Sequence, residues 1–232
     1  MEGSDTYYSR SEALLGPKAM EALRTKHVII FGVGGVGSWA AETLIRTGLM
    51  HLTIVDDDTV QPSNLNRQLP ATRATMGRLK VEALRERLLS IQPQAEIIAK
   101  AERVNSEWME ANSLDQYDYI IDAIDSVAEK TDLLLHASRV RGVKIYSSMG
   151  AALRFDPTQV TTGELMSIQG DALAKAVRAR MKRLNRHPNK RIRCVYSVEQ
   201  AQRCETRGSL MQVTAVFGCT LASLVINDLQ KV

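Results

Sequence analysis

Residues 27–38 of the 232-residue chain read HVIIFGVGGVGS, an apolar run that leads directly into a glycine-rich loop. The apolar run predicts a buried strand, and the spacing of Gly32, Gly34 and Gly37 matches the turn that binds nucleotides in many α/β proteins. The first two glycines allow a tight turn and close approach of the backbone to a phosphate, whereas Gly37 lets the following helix pack on the sheet. Unpaired N–H groups at the start of that helix favour a phosphate. The segment predicts a nucleotide-binding site.

Acidic and basic residues that suit a triphosphate follow this loop. Asp56 ends the next apolar run, nineteen residues after Gly37, at the distance where an acid binds the ribose hydroxyls. Arg67 offers a planar fork for phosphate oxygens, and Lys80 offers a compact positive charge. Two cations at one polyphosphate would stabilise the departure of pyrophosphate. An isolated arginine or lysine is more often a plain surface charge, but this spacing favours the site.

A third element of the predicted site is the segment Ile120 to Ser126, in which two acids end an apolar strand. Magnesium prefers hard oxygen ligands and commonly bridges a carboxylate to substrate phosphates, so we expect Asp125 to hold Mg²⁺ opposite the glycine loop. Asp122 is equally well explained by a structural role in a turn or helix cap.

Strand and helix patterns alternate along the first 150 residues, which predicts a doubly wound, mostly parallel α/β sheet of the Rossmann-like type. After Asp156-Pro157 the pattern changes to short strands at 159–164 and 192–198 and a basic helix at 171–184. We expect one domain over residues 1–232, with a nucleotide-binding core at 1–150. Residues 151–232 would form an extension of antiparallel strands, the basic helix and a C-terminal helix.

Composition excludes several classes of protein. Hydrophobic residues make up 44% of the chain, as in ordinary globular proteins, and the N-terminus has no apolar core of a signal peptide. The apolar run Val213 to Ile226 looks too short to span a bilayer, so no membrane association is expected. Three cysteines form no CxxC pair, which argues against zinc and favours a reducing cytoplasm.

Positive charge is concentrated late in the chain. Residues 172–207 hold eleven Lys and Arg against two Glu, whereas the whole chain has a net charge of +4. Such a helix could follow a phosphate backbone, although a solvated helix face explains the same charges, and no interleaved aromatics indicate base stacking. The candidate nucleic-acid contacts are Lys175, Arg178, Lys182, Arg183 and Arg186.

The motifs together resemble the ubiquitin-activating-enzyme-like (ThiF/MoeB/HesA-type) superfamily, whose members adenylate carboxylates. The resemblance extends from Ser9-Arg10-Ser11-Glu12 through the glycine loop, the DxDxVxxSNxNRQ stretch and the GxxK helix to the DAIDS strand end. Within the superfamily the chain is most similar to the tRNA threonylcarbamoyladenosine dehydratases, on the segments RFDPTQV at 154–160, VYSVE at 195–199 and GSL at 208–210. Ala172 departs from a proline typical of that group.

This resemblance implies a role for each matching residue. Gly35 would face the phosphates, Asp56 the ribose and Asp125 the magnesium ion. Ser126 stands where the wider superfamily has Asn. The triphosphate would be bound by Ser63, Asn64, Arg67 and Lys80, and the remaining residues expected around the nucleotide are Gly32, Gly34, Gly37, Asp58, Asn66, Gln68 and Ser126.

The resemblance also implies partners and a reaction. The expected activity is ATP- and Mg²⁺-dependent cyclisation of threonylcarbamoyladenosine in tRNA, through a carboxyl adenylate, by a homodimer in which Arg10 reaches the partner's ATP. A sulfur-transfer partner is left open, and Cys194 and Cys204, amid arginines that include Arg207, are either reactive or incidental thiols. The alternatives are adenylation of the C-terminal glycine of a ubiquitin-like sulfur carrier, a nicotinamide dehydrogenase, and a non-catalytic RNA-binding adaptor.

Overall fold

A seven-stranded sheet forms the centre of the molecule in the computed structural model, which describes residues 7–206 and 208–230. Arg207 lies outside the described residues. The strands are β1 His27–Phe31, β2 His51–Val55, β3 Glu96–Lys100, β4 Tyr119–Asp122, β5 Lys144–Ser148, β6 Val160–Glu164 and β7 Arg193–Ser197. Their order in the sheet is β3-β2-β1-β4-β5-β7-β6, and every neighbouring pair is parallel except β6 and β7. The predicted doubly wound, mostly parallel sheet is confirmed.

Seven α-helices precede, connect or follow these strands in the described part of the chain. They are α1 Ser9–Arg24, α2 Gly37–Thr47, α3 Lys80–Ile91, α4 Ser106–Ala111, α5 Val127–Ala137, α6 Ala172–Arg183 and α7 Met211–Leu229. Short 3₁₀ turns at Pro62–Asn64, Arg73–Thr75 and Pro157–Gln159 shape the loops between them.

The apolar residues of β1 supply both faces of the sheet. Val28 and Ile30 point into the core beneath α2, α3 and α7, whereas Ile29 and Phe31 point into the core beneath α4, α5 and α6. All four side chains are fully buried, since a parallel strand between helical layers has no solvent-facing side. This is why the run reads as continuously apolar rather than alternating.

The residues after position 150 continue the main sheet. Strand β7 pairs with β5 in parallel, with Ser147 opposite Cys194, and β6 then adds an antiparallel edge. The antiparallel pair was predicted, but the sequence did not show that β7 would extend the parallel sheet. A boundary between a core and an extension at residue 150 stays a prediction.

Helix α7 corrects one expectation. It runs for 19 residues from Met211 to Leu229, which is long and apolar enough to cross a membrane, so the argument that the apolar run is too short is wrong. Half of its apolar window is buried inside the molecule, where Phe217 and Leu221 belong to the core and Gly218 lies against α2. Core helices of globular proteins are also long and apolar, so α7 by itself is weak evidence for a membrane span.

Candidate nucleotide-binding site

A cleft of about 650 Å³ opens at the carboxyl ends of β1, β2, β4 and β5. This is the edge at which doubly wound sheets bind their ligands. Eleven of the residues predicted to surround a nucleotide line the cleft: Gly32, Gly34, Gly35, Asp56, Asp58, Asn64, Arg67, Gln68, Lys80, Asp125 and Ser126. Gly37, Ser63 and Asn66 are not part of this lining, and Arg10, which is exposed on α1, does not line the cleft of its own chain either.

The glycine loop has the geometry that its sequence requires. Gly32 has a φ of +82°, which side-chain-bearing residues rarely adopt, and its N–H donates to the Val55 carbonyl at 2.8 Å. A Cβ on Gly37 would lie 1.8 Å from the Gly32 carbonyl oxygen, so only glycine lets α2 begin here. A Cβ on Gly35 would lie 3.1 Å from Cγ of Arg67, which places that arginine against the loop.

Asp56 braces the loop from the end of β2. Its Oδ2 accepts the Val33 N–H at 2.8 Å, and its Oδ1 accepts the Asp58 N–H at 2.9 Å. Burial raises the pKa of this carboxyl above its ordinary value, although Lys80 and the two backbone donors oppose that rise. Asp56 therefore fixes the backbone of the glycine loop and of its own loop, and its binding of a ribose stays a prediction.

Arg67 is held in place by its own loop. Its Nη1 donates to the Ser63 carbonyl and to Oδ1 of Asn66, each at 2.9 Å, while its carbonyl accepts the indole N–H of Trp39 at 3.1 Å. Ser63 and Asn66 thus support the arginine instead of lining the cleft. The sequence reasoning missed Trp39, which ties this loop to α2 and belongs to no motif.

Lys80 enters the cleft from the first turn of α3. Its Nζ lies 2.6 Å from Oδ2 of Asp58, and 7% of the lysine side chain is exposed against 68% of the aspartate side chain. The aliphatic part of Lys80 is therefore buried, and the ammonium group is directed at the cleft with an exposed partner. Such a pair holds the lysine in position but is weak, because water screens the exposed carboxylate.

The two acids of the DAIDS segment have different surroundings. Asp122 is fully buried, where its Oδ2 accepts from Nζ of Lys130 and from the Ser147 hydroxyl, each at 2.6 Å. Its Oδ1 accepts the Ile124 N–H at 3.1 Å, which fixes the turn. Asp125 lies exposed in the cleft, and no described side chain forms an ion pair with it. These contacts favour a structural role for Asp122, in a turn and a buried ion pair, over a role as a magnesium ligand.

Residues that the sequence did not indicate form a wall at one end of the cleft. Glu102 and Arg103 follow β3, and Arg103 donates to Glu129 of α5 at 2.7 Å. Glu129 also contacts the hydroxyl of Ser126. Together the cleft residues include six acids and three bases, a formal excess of three negative charges: Asp56, Asp57, Asp58, Glu102, Asp125 and Glu129 against Arg67, Lys80 and Arg103.

This charge balance bears on metal binding. A polyphosphate entering alone would meet net repulsion, whereas a divalent cation would offset it. Carboxylate oxygens of Asp56, Asp57 and Asp58 lie within 4.8 Å of one another, but Asp56 already accepts two backbone N–H groups and Asp58 is paired with Lys80. Asp125 has the freer carboxylate, and the hard oxygen donors of the cleft fit Mg²⁺.

The basic helix lies beyond the other end of the cleft. Asp171 caps α6 by accepting the Ala174 N–H, and Leu173 lines the cleft. Four of the five candidate nucleic-acid contacts, Lys175, Lys182, Arg183 and Arg186, are exposed. Arg178 is half-buried instead, and its Nη1 donates to the Leu165 carbonyl at 2.8 Å, so part of its charge is already used within the protein.

The cysteines also differ in environment. Cys194 is buried in β7, and burial raises the pKa of its thiol to about 12. Cys204 is exposed and Cys219 is partly buried. A thiol with so high a pKa is unreactive at neutral pH. Cys194 therefore acts as a core residue and not as a nucleophile.

Fold and cleft together define a nucleotide-binding α/β protein of the doubly wound class, with cations and a free carboxylate placed around a polyphosphate site. The ThiF family model matches residues 8–232, and the chain belongs to this family. The tRNA threonylcarbamoyladenosine dehydratase of Haemophilus influenzae is 32% identical over 238 residues, covering 94% of this chain and 91% of that protein. The protein of the same name in Bacillus subtilis is 37% identical over 176 residues, 76% of this chain and 69% of the relative.

Solved structures give the same result. The E. coli tRNA N6-threonylcarbamoyladenosine dehydratase TcdA in complex with AMP superposes with a TM-score of 0.91 at 31% identity, covering 97% of this chain and 94% of that one. The ATP complex of the same protein gives a TM-score of 0.88 at 32% identity over the same shares. The family and the fold implied by the sequence motifs are thus confirmed.

Proposed function

We propose that this protein is an ATP-dependent tRNA threonylcarbamoyladenosine dehydratase that closes a ring through a carboxyl adenylate. The observation that carries the proposal is the placement of Arg67, Lys80 and Asp125 around one cleft beside the glycine loop. Relatives with this name match nearly the whole chain, and TcdA, a structural neighbour, binds ATP and AMP.

The first chemical step is adenylation. The carboxylate of the threonylcarbamoyl group attacks the α-phosphorus of ATP, a P–O bond forms, and pyrophosphate leaves with the electrons of the broken bond. Arg67 and Lys80 stabilise the negative charge on the departing pyrophosphate, while the glycine loop and the start of α2 hold the phosphate chain. Asp125 would hold Mg²⁺, which would supply charge neutralisation at the phosphates.

The second step is ring closure. The carbamoyl group of the same nucleoside attacks the activated carbonyl, AMP leaves, and the net change is loss of one water. An intramolecular nucleophile has an effective molarity on the order of 10⁵ M or more, so no enzyme cysteine is required. The protein contributes by positioning the adenylate and by excluding water that would hydrolyse it.

The direct test is incubation of the protein with ATP, Mg²⁺ and threonylcarbamoylated tRNA, followed by digestion and mass measurement of the nucleosides. We expect a nucleoside lighter by one water, formed together with AMP and pyrophosphate. Lys80→Met is expected to lose activity while remaining folded, and omission of Mg²⁺ to abolish product. An unchanged nucleoside, with adenylation of a ubiquitin-like C-terminal glycine instead, would assign the chain to sulfur-carrier activation.

We further propose that exposed basic residues of α6 bind the tRNA. Charge reversal at Lys182 and Arg183 should weaken tRNA binding and flatten its dependence on salt, because fewer counterions would be released. Lys18→Glu with Arg141→Glu, at two exposed positions outside α6, changes the net charge by the same amount and is the matched control, which should change neither. An unaltered salt slope in the α6 variant would contradict this assignment.

The proposal includes a homodimer in which Arg10 acts on the partner's nucleotide. Arg10 is exposed on α1 and is absent from the cleft lining of its own chain, which is consistent with action on a second copy. Inactive Arg10→Ala and Lys80→Met proteins, mixed so that subunits exchange, should regain about a quarter of wild-type activity, because half of the dimers then contain one complete site. No recovery would show that Arg10 acts within its own chain, and an active Arg10→Ala protein would show that Arg10 has no role. The cytoplasmic location stays a prediction.

A further inference from the structure

A buried ion pair joins the floor of the cleft to the basic helix. Arg154 follows β5, and its Nη2 lies 3.3 Å from Oδ2 of Asp171, with 2% and 0% of the two side chains exposed. Asp171 immediately precedes α6, whose first N–H groups it caps through Ala174 at 2.9 Å. The two partners thus lie near opposite ends of the segment that connects β5 to α6.

Both members of the pair bind the same cleft residue. The Gly150 N–H donates to Oδ2 of Asp171 at 3.1 Å, and Nε of Arg154 donates to the Gly150 carbonyl at 3.1 Å. Gly150 lines the cleft, and so does Leu173 in the first turn of α6. A Cβ on Gly150 would lie 3.3 Å from Oδ2 of Asp171, so the wall and the acid are in close contact.

Stability alone explains this pair poorly. A buried ion pair often stabilises a fold less than apolar residues of the same volume would, because both charges lose their water. Here the arrangement is also incomplete, since Nη1 of Arg154 is buried without a hydrogen-bond partner among the described residues. What the pair does provide is a fixed distance and direction between the cleft wall and the N-terminus of α6.

We propose that Arg154 and Asp171 are positioning residues that fix the position of α6, the basic helix, relative to the end of the cleft lined by Gly150 and Leu173, where the acyl group would be activated. This inference rests on the proposed function, because it assumes that a tRNA bound along α6 must present its modified nucleoside to the α-phosphate. Gly150 and Leu173 would form the wall against which the nucleoside is placed. The pair acts on the reaction through that wall and touches no reacting atom.

The test variant is Arg154→Met combined with Asp171→Ser. Changing both residues leaves no stranded charge, and serine keeps the N-cap of α6 while its short side chain cannot hold Gly150. We expect ATP affinity and tRNA affinity to stay within about twofold of wild type, since the phosphate end and the exposed basic face are untouched. The turnover number at saturating ATP and tRNA should fall at least about tenfold, because the two sites are no longer in register.

Two further variants separate positioning from folding. Arg154→Lys keeps a charge and a donor and should recover part of the turnover number. Glu42→Leu with Arg87→Met removes a half-buried ion pair between α2 and α3 that lines no part of the cleft, and should leave the turnover number unchanged whatever it does to the melting temperature. All assays are run below the onset of unfolding of each protein.

The outcomes are distinct. Full turnover by the double variant, with wild type active, overturns the inference and leaves the proposed function intact. Parallel loss of ATP affinity, tRNA affinity and melting temperature would also overturn it, because that pattern indicates general damage to the fold. A wild-type protein that produces no dehydrated nucleoside overturns the proposed function, and the inference falls with it.

Discussion

Replacing Lys130 by methionine should destabilise the protein strongly, because it strands a buried carboxylate. Lys130 and Asp122 have no exposed side-chain surface, and the ammonium group is 2.6 Å from the carboxylate. Methionine has a similar length without the charge. Asp122 would keep only the Ser147 hydroxyl and the Ile124 N–H as partners.

The size of the effect follows from the general cost of stranding a buried charge. Removing one partner of a buried ion pair typically costs about 3–5 kcal/mol. We therefore expect a loss of about 3–5 kcal/mol in the free energy of unfolding, or a fall of about 6–20 °C in Tm for a chain of this size.

The assay is urea unfolding of wild type, Lys130→Met, and the double variant Lys130→Met with Asp122→Asn at pH 7. The double variant should recover most of the loss, because it removes both charges together. A loss below about 1 kcal/mol in the single variant, or a double variant no more stable than the single one, would refute the view that this pair is a mutually dependent buried unit.

Three other perturbations have definite expected outcomes. Gly37→Ala places a Cβ 1.8 Å from the carbonyl oxygen of the loop's first glycine and should cost about 3 kcal/mol or more in urea unfolding, whereas Gly208→Ala, which meets no neighbour, should be almost neutral. Because burial raises the pKa of Asp56, its carboxylate is lost at a higher pH than that of an ordinary aspartate; ATP affinity measured by calorimetry should therefore fall early on acidification, and Asp56→Asn should abolish that acid dependence. A thiol reagent at pH 8 should label exposed Cys204 and spare Cys194, since a pKa of about 12 leaves only about 10⁻⁴ of that thiol ionised, and native-state labelling of Cys194 would contradict its assignment to the core.

The sequence predicted the parts of this molecule in which chemistry and backbone geometry restrict the residue type. Gly32 is required by its positive φ, and Gly37 is required by a contact too close for any side chain. The sequence alone therefore predicts the conformation of this loop. The position of Asp56 is restricted as well, because its carboxylate must reach the Val33 N–H of the glycine loop from the end of β2. Local patterns of this kind predicted the sheet, the helices and eleven of the residues that line the cleft.

Contacts between distant segments were not predictable in the same way. Arg154 and Asp171 are 17 positions apart with a turn and an edge strand between them, and neither residue belongs to a periodic pattern. The pattern around Lys130 does indicate its burial. Lys130 lies on the same inward face of α5 as Leu133, Leu134 and Ala137, where an unpaired charge would be costly. A lysine at such a position indicates a buried acid nearby, and Asp122 at the preceding strand end was the available partner.

The ion pairs of the cleft region differ in exposure according to what they must do. Asp122 with Lys130 and Arg154 with Asp171 are almost fully buried, so breaking either would strand a charge, and each fixes backbone beside the cleft. Lys80 is different, because its partner Asp58 is 68% exposed and water can replace the lysine at little cost. A triphosphate that arrives with its cation can therefore take the Lys80 ammonium group from Asp58 without leaving a buried charge behind. The buried pairs keep the cleft in shape, and under the proposed function the exposed pair would keep Lys80 extended until a substrate phosphate replaced the aspartate.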